Sequence, residues 1–350
     1  MMTYVPRPGF LTGYIVMALC LIIPSPVRAG DTAYQVLTDM AGRRVTLKHP
    51  VKTLVTTFKP ASLCVFSLGL AGQLVGVDTS FKRDRLARRI YPGIAHLPGV
   101  GTKTKGINIE TLAGLKPDLV ILYSQKDGLA LAERLADMDI PSLVIIPESF
   151  KTIKDAMHLI AAAAGVSHRM ASIGTEMDQL LSLVTRRLAG MPETERKTAY
   201  FASSRGLFST TTANMLQHDI LTRAGVTNVS SGLTGYFQNV SPEQLVRWNP
   251  DMMILSQHMP ESETGRLAHP ALRSLNAVAA GTVFRCPSNL APWDFPSPLS
   301  VLAVLWTARK AYPDRFNDID MQVAADRFHR TLFNKTMTGM GGSINDTIEW

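Results

Sequence analysis

Cysteine is scarce in this chain, with three in 350 residues, at positions 20, 64 and 286. No C-x-x-C pair occurs, and the eight histidines form no H-x-x-x-H pair. That argues against a bare zinc or manganese site built mainly from histidine. Charged residues make up only 18% of the chain and aromatics 7%. The basic residues are dispersed rather than interleaved with aromatics in a stripe, so no nucleic-acid partner is expected. There is no G-x-S-x-G elbow, which leaves Ser203, Ser204 and His258 without the context of a hydrolase set. The loop PGVGTKTKG (98–106) lacks both the spacing of a nucleotide-binding loop and a strand leading into it.

Long apolar runs are missing too. The most hydrophobic stretch, GYIVMALCLII (13–23), is too short to span a bilayer. With Arg7 before it and Val27-Arg28-Ala29 after it, it reads as the core of a cleavable secretory leader, residues 1–29. Leu19 is a poor residue before Cys20 for lipid attachment. Loss of Arg7 and Arg28, and of no acid, takes the net charge from +8 to +6. A basic exported protein favours anionic ligands or an anionic surface. Cys64 and Cys286 fall in different halves and are expected to be buried free thiols.

What is present is a sentence said twice. INIETLAGLKPDLVILY (107–123) returns as VSPEQLVRWNPDMMILS (240–256). At an offset of 133, six positions are identical: Glu110/Glu243, Leu112/Leu245, Pro117/Pro250, Asp118/Asp251, Ile121/Ile254 and Leu122/Leu255. A period this long, seen once, indicates two related domains rather than a solenoid. Asn108 and Ser241 are suited to cap a short helix, and Pro242 suits a first helical position. Pro117 and Pro250 stop the helix, and Asp118 and Asp251 make the turn. An apolar run then reads as a strand buried on both faces of a parallel sheet. Tyr123, Ser124 and Gln125 mark where the first strand emerges, and Ser256, Gln257 and His258 the second. In open α/β sheets ligands gather beyond such strand ends.

Residues 34–48 read as a hairpin. Between the halves, Met170, Ile173, Met177, Leu180, Val184 and Leu188 form one apolar stripe. That predicts a single long connecting helix over 167–190, with Ser167 as its cap. The C-terminal part reads as helices over 299–312 and 320–333, with a frayed tail from 334.

The paired Glu-x-Leu…Pro-Asp repeats, the opening Asp39-x-x-Gly42-Arg43-x-Val45 and the linking helix resemble class III periplasmic substrate-binding proteins. The resemblance covers residues 34–333. It implies an α/β fold of two Rossmann-like lobes with mostly parallel sheets, joined by one long linker helix. The expected parts are a leader (1–29), a first lobe (30–166), the linker (167–190) and a second lobe (191–350). The resemblance implies a monomeric periplasmic protein, not an enzyme and without a cofactor, serving an ABC importer in the inner membrane. Ligands of such importers include ferric siderophores, haem, cobalamin and metal oxyanions. A ferric siderophore-type chelate is the default. Molybdate or tungstate, cobalamin and a nickel chelate are alternatives, and an exported enzyme using the same cleft is the rival of another class. Glu110 and Glu243 match the glutamates that dock each lobe onto permease arginines, although each would also complement its helix dipole. The cleft between the lobes is expected to involve Phe58, Lys59, Tyr123, Arg205, Tyr236, Phe237, His258 and Trp293. Aromatics would pack an organic shell, and Lys59 or Arg205 would meet its charge. Core packing is the competing reading for Phe237 and Trp293, and a solvated loop for Arg205 and His258. A small-oxyanion cleft should be shut and polar, a siderophore cleft open and aromatic.

Overall fold

The computed structural model describes residues 1–2, 33–102, 105–124 and 128–348. The expected leader, apart from Met1 and Met2, lies outside them, as does Gln125. Two separate sheets carry the molecule. The first has four parallel strands in the order Leu74–Gly76, Leu54–Thr56, Leu119–Tyr123 and Ser142–Ile145. The second has six, running Phe237–Asn239, Ser209–Thr211, Thr198–Ala202, Met252–Leu255 and Val283–Arg285. Thr227–Asn228 also pairs with Thr198–Ala202. The repeated strand is central in both, and its pairing is the same in each: Leu54 faces Leu119, and Ala199 faces Met252.

The repeated aspartate explains that match. Lys52 and Thr53 both donate their backbone N–H to Asp118 Oδ2 at 3.0 Å, and Asp118 N–H donates to Thr53 Oγ1 at 2.8 Å. In the second lobe Thr198 donates its N–H (2.7 Å) and hydroxyl (2.9 Å) to Asp251 Oδ2, and Asp251 N–H donates to Thr198 Oγ1 at 3.0 Å. Each aspartate thus ties the start of its own strand to the start of its neighbour and satisfies backbone donors that would otherwise go unpaired. The helices before them are built as read. Asn108 accepts from Thr111 N–H at 2.9 Å, and Ser241 from Gln244 N–H at 3.1 Å, with Pro242 in the first turn. The stop has one feature beyond proline. Lys116 (φ 47°) and Asn249 (φ 40°) turn left-handed just before Pro117 and Pro250.

The hairpin forms between Ala33–Thr38 and Arg44–His49. Asp39 accepts the N–H of Ala41 and of Arg43 inside the turn, and that of Val144 from the edge strand. Arg43 donates to Ser142 O at 3.1 Å. Gly42 takes φ 80°, where a side chain would be strained. The opening motif is therefore a clip that holds the hairpin to the first sheet.

The linker helix runs His168–Arg187 and buries Met170, Ile173, Met177 and Val184. Twenty residues span about 30 Å at the usual rise. Ser167 does not cap it: its backbone is already helical and its side chain accepts no N–H from the helix. The apolar stripe packs into a core that is continuous through both lobes, from Leu54 and Ile121 by way of Ile173 to Ile254 and Trp306. Smaller clusters cover the other face of each sheet, around Val120 and Leu122 and around Met253 and Leu255. Cys64 and Cys286 are buried and free.

Over its described residues, up to 348, the tail is not frayed. Met337 and Met340 are buried. Asp346 accepts from Trp306 Nε1 and pairs with Lys310 at 2.9 Å, while its carbonyl accepts Arg285 N–H. A short polar sequence hid an anchor made by a few specific partners. Asp118→Ala and Asp251→Ala are each expected to cost about 0.5–1.5 kcal/mol, because each removes hydrogen bonds to backbone donors at a strand start. Urea midpoints at unchanged slope measure this; wild-type midpoints would show the clamps to be dispensable.

Candidate functional site

The carboxyl ends of both sheets open onto one cleft of about 420 Å³. In the first lobe, Leu54–Thr56 leads into Phe58, Lys59 and Pro60; Leu74–Gly76 into Asp78 and Ser80; Leu119–Tyr123 ends on Tyr123 itself. In the second lobe, Thr198–Ala202 leads into Ser203 and Ser204, Met252–Leu255 into Ser256, and Val283–Arg285 toward Asp294, Phe295 and Pro296. Phe201, Thr211, Met215, Gln217 and Phe237 complete that wall.

Aromatic rings dominate the walls. Phe58 stacks on Tyr123 with centroids 4.7 Å apart and planes within 18°. Lys59 pairs with Asp84 at 2.8 Å, and its ammonium also lies 5.2 Å from the centre of the Phe295 ring, across the cleft. Asp84 additionally caps the helix Arg85–Ile90 by accepting Ala87 N–H, so the Lys59 partner is itself fixed. Arg205 is exposed, with its guanidinium 4.3 Å above the Phe237 ring. Among the described residues no group of three His, Cys, Asp or Glu is placed to hold a metal ion.

Residues 55–290 match the family described as periplasmic binding protein. The chain belongs to that family. It is a periplasmic binding protein of an ABC transporter, from a family of transport components. It is 23% identical over 340 residues to the molybdate-binding protein MolA of Haemophilus influenzae, covering 90% of this chain and 94% of that one. It is 23% identical over 195 residues to the vitamin B12-binding protein of Pectobacterium carotovorum, covering 56% of this chain and 67% of that one. Among solved structures, molybdate-bound MolA superposes with a TM-score of 0.76 at 21% identity, covering 86% of this chain and 98% of that one. Helicobacter pylori CeuE in a Ni–His complex gives 0.76 at 19% identity, covering 88% and 98%. At these identities the structures establish the shared two-lobe fold.

Within this periplasmic binding protein, Phe58, Lys59, Tyr123 and Phe237 line the cleft. Arg205 reaches it only through Phe237. Tyr236 is 39% exposed and lies outside the lining. His258 sits behind the wall, edge-on to Phe295 at 5.3 Å. Burial, with the positive charge of Lys59 nearby, lowers its pKa to about 4. Trp293 is a correction: it is fully buried in the core, and Phe295, two residues on, takes the cleft position. Asp78, Glu148, Phe201, Gln217, Asp294 and Phe295 were not anticipated. An acid set between Trp293 and Phe295 in the proline-rich loop after the last strand was the available signal.

Asp294 is the unusual group. It is 2% exposed, and burial pushes its carboxyl from 3.8 up to about 6. Donation from Ser256 Oγ and Gln257 N–H, and the charge of Lys59, pull the other way without cancelling burial. The folded-state pKa is above the unfolded one, so stability falls as pH rises from about 4 through about 6 and stays reduced at neutral pH. The shift is equivalent to at most about 3 kcal/mol. Asp294→Asn is therefore expected to raise the melting temperature of the ligand-free protein at pH 7.5, with the gain shrinking below pH about 6. A lowered melting temperature at pH 7.5 would mean that the lost hydrogen bonds outweigh the desolvation.

Proposed function

We propose that this periplasmic binding protein captures a metal complex wrapped in an organic shell, of the ferric siderophore type, and delivers it to an inner-membrane ABC permease. The observation that carries this reading is the wall of Phe58, Tyr123, Phe201, Phe237 and Phe295 around a 420 Å³ cleft. Sites of about 300–1,000 Å³ lined by aromatics take organic ligands of drug size. Flat rings pack an organic shell and gain little from a bare ion. A ligand that brings its own coordination shell also suits a cleft where, among the described residues, no three protein ligands converge on a metal. Cobalamin and a nickel chelate belong to the same chemical class, and the relatives named for vitamin B12 and crystallised with Ni–His fit it.

The second reading is molybdate or tungstate. MolA is similar over 90% of this chain. The cleft also offers the hydroxyls of Ser203, Ser204 and Thr211, with Lys59 opposite.

Delivery is assigned to Glu110 and Glu243. Both are exposed, and both sit in the first turn of the repeated short helix. Two equivalent acids, one per lobe, orient a partner carrying complementary cations. The Ser241 side chain, by hydrogen bonding, holds Glu243 below the usual carboxylate range, which keeps it charged.

Native mass spectrometry and elemental analysis of the protein as purified from its host test the ligand. An adduct containing iron, cobalt or nickel with organic mass is expected; molybdenum or tungsten without organic mass would transfer the assignment to the second reading. The double reversal Glu110→Lys, Glu243→Lys is expected to abolish transporter-dependent uptake while leaving binding in solution unchanged. Normal uptake by that variant would reject the docking assignment.

A further inference from the structure

Acidic side chains line part of the cleft. Among the described residues, the lining holds one cation, Lys59, and three acids, Asp78, Glu148 and Asp294, and Glu148 has a partner of its own. Lys59 is moreover already paired with Asp84 at 2.8 Å.

The polar atoms left without partners in the second-lobe wall point the same way. Asp294 Oδ2 accepts from Ser256 Oγ and Gln257 N–H, while Asp294 Oδ1 is buried and accepts nothing. Gln217, 7% exposed, donates Nε2 to the Asp294 carbonyl at 2.8 Å, which fixes its amide orientation and leaves Oε1 buried and unpartnered. Thr211 Oγ1 is the third such atom in the lining. Two of the three are pure acceptors. A buried acceptor without a donor is costly, so a bound molecule that supplies N–H or O–H groups recovers what folding left unmade. A tetrahedral oxyanion in its dianionic form supplies only acceptors, and would meet a carboxylate.

We propose that Asp294 and Gln217 form an acceptor floor that selects neutral or cationic metal complexes bearing hydrogen-bond donors and excludes dianionic oxyanions. This deepens the reading of the cleft as a chelate site and rests on it.

Calorimetric titration with four probes tests the proposal: the ferric trihydroxamate ferrioxamine B with its pendant ammonium, cyanocobalamin, bis-histidine nickel(II), and sodium molybdate. The wild type is expected to bind at least one of the three donor-bearing complexes, and molybdate at least about tenfold more weakly. Asp294→Asn and Gln217→Met are each expected to weaken that complex by about tenfold, with Asp294→Asn also narrowing the gap to molybdate. Thermal melts of both ligand-free variants check folding, and an Asp294→Asn protein that melts no lower than wild type removes unfolding as the cause. If a complex binds and neither variant changes its affinity, the acceptor floor is wrong and the chelate reading stands. If molybdate binds more tightly than all three complexes, or none of the three binds, both fall together.

Discussion

Everything at the cleft depends on where two strands begin. Asp118 and Asp251 each grip the first residues of a neighbouring strand through paired hydrogen bonds with Thr53 and Thr198. A parallel sheet has no hairpin turn to fix its register, and a slip of one residue would send each strand's side chains to the wrong face. The carboxylate sets that register from the solvent end. The opposite ends then emerge in step, so that Phe58 meets Tyr123 in one lobe and Ser203 lies near Ser256 in the other. The clamps at the far end of the sheets thus help align the strand ends that form the cleft.

The second constraint is the core that crosses between the lobes. The linker helix is not a free rod. It contributes Ile173 and Met177 to a cluster shared by both sheets, and Arg169 donates to Ser67 O in one lobe and Leu332 O in the other. Asp219 of the second lobe accepts the N–H of Phe150, the first residue of the helix Phe150–Ala163. Arg223, paired with Asp219, lies 5.5 Å from the Phe150 ring. Opening such a molecule widely would expose shared apolar surface and break these ties, so small rocking of the lobes is the expected motion.

Much of this was legible because the signals are local. A cap, a proline, a turn-forming acid and an apolar run specify their own structure within about a dozen residues, and repeating them doubles the evidence. The strand-end rule located the cleft and, with the resemblance, named Phe58, Lys59 and Tyr123. What sequence could not supply was direction. Trp293 and Phe295 are both aromatic, lie in one proline-rich loop, and differ only in which way the backbone turns them. The result is one ring in the core and one in the cleft. Ser167 looked like a cap because its residue type is right, but its backbone had already entered the helix. The tail looked disordered because Met337, Met340 and Asp346 find partners only in distant elements.

Net charge, likewise, is a sum without positions. The cations accumulate on surfaces such as the helix Arg85–Ile90, where Arg85, Arg88 and Arg89 are exposed. The cleft keeps one ammonium and neutralises it with a carboxylate that also caps that helix. Long-range attraction and local recognition therefore need not share a sign. A basic exterior governs what approaches the protein and which surface it hovers near, and this field is screened within about 10 Å at ordinary salt. Selection inside a walled cleft also depends on which polar atoms remain unmatched after folding, and among the described residues Asp294 Oδ1 and Gln217 Oε1 are such acceptors. On the readings proposed above, the same molecule would present acidic knobs to a permease, a basic surface to its surroundings and acceptors to its cargo.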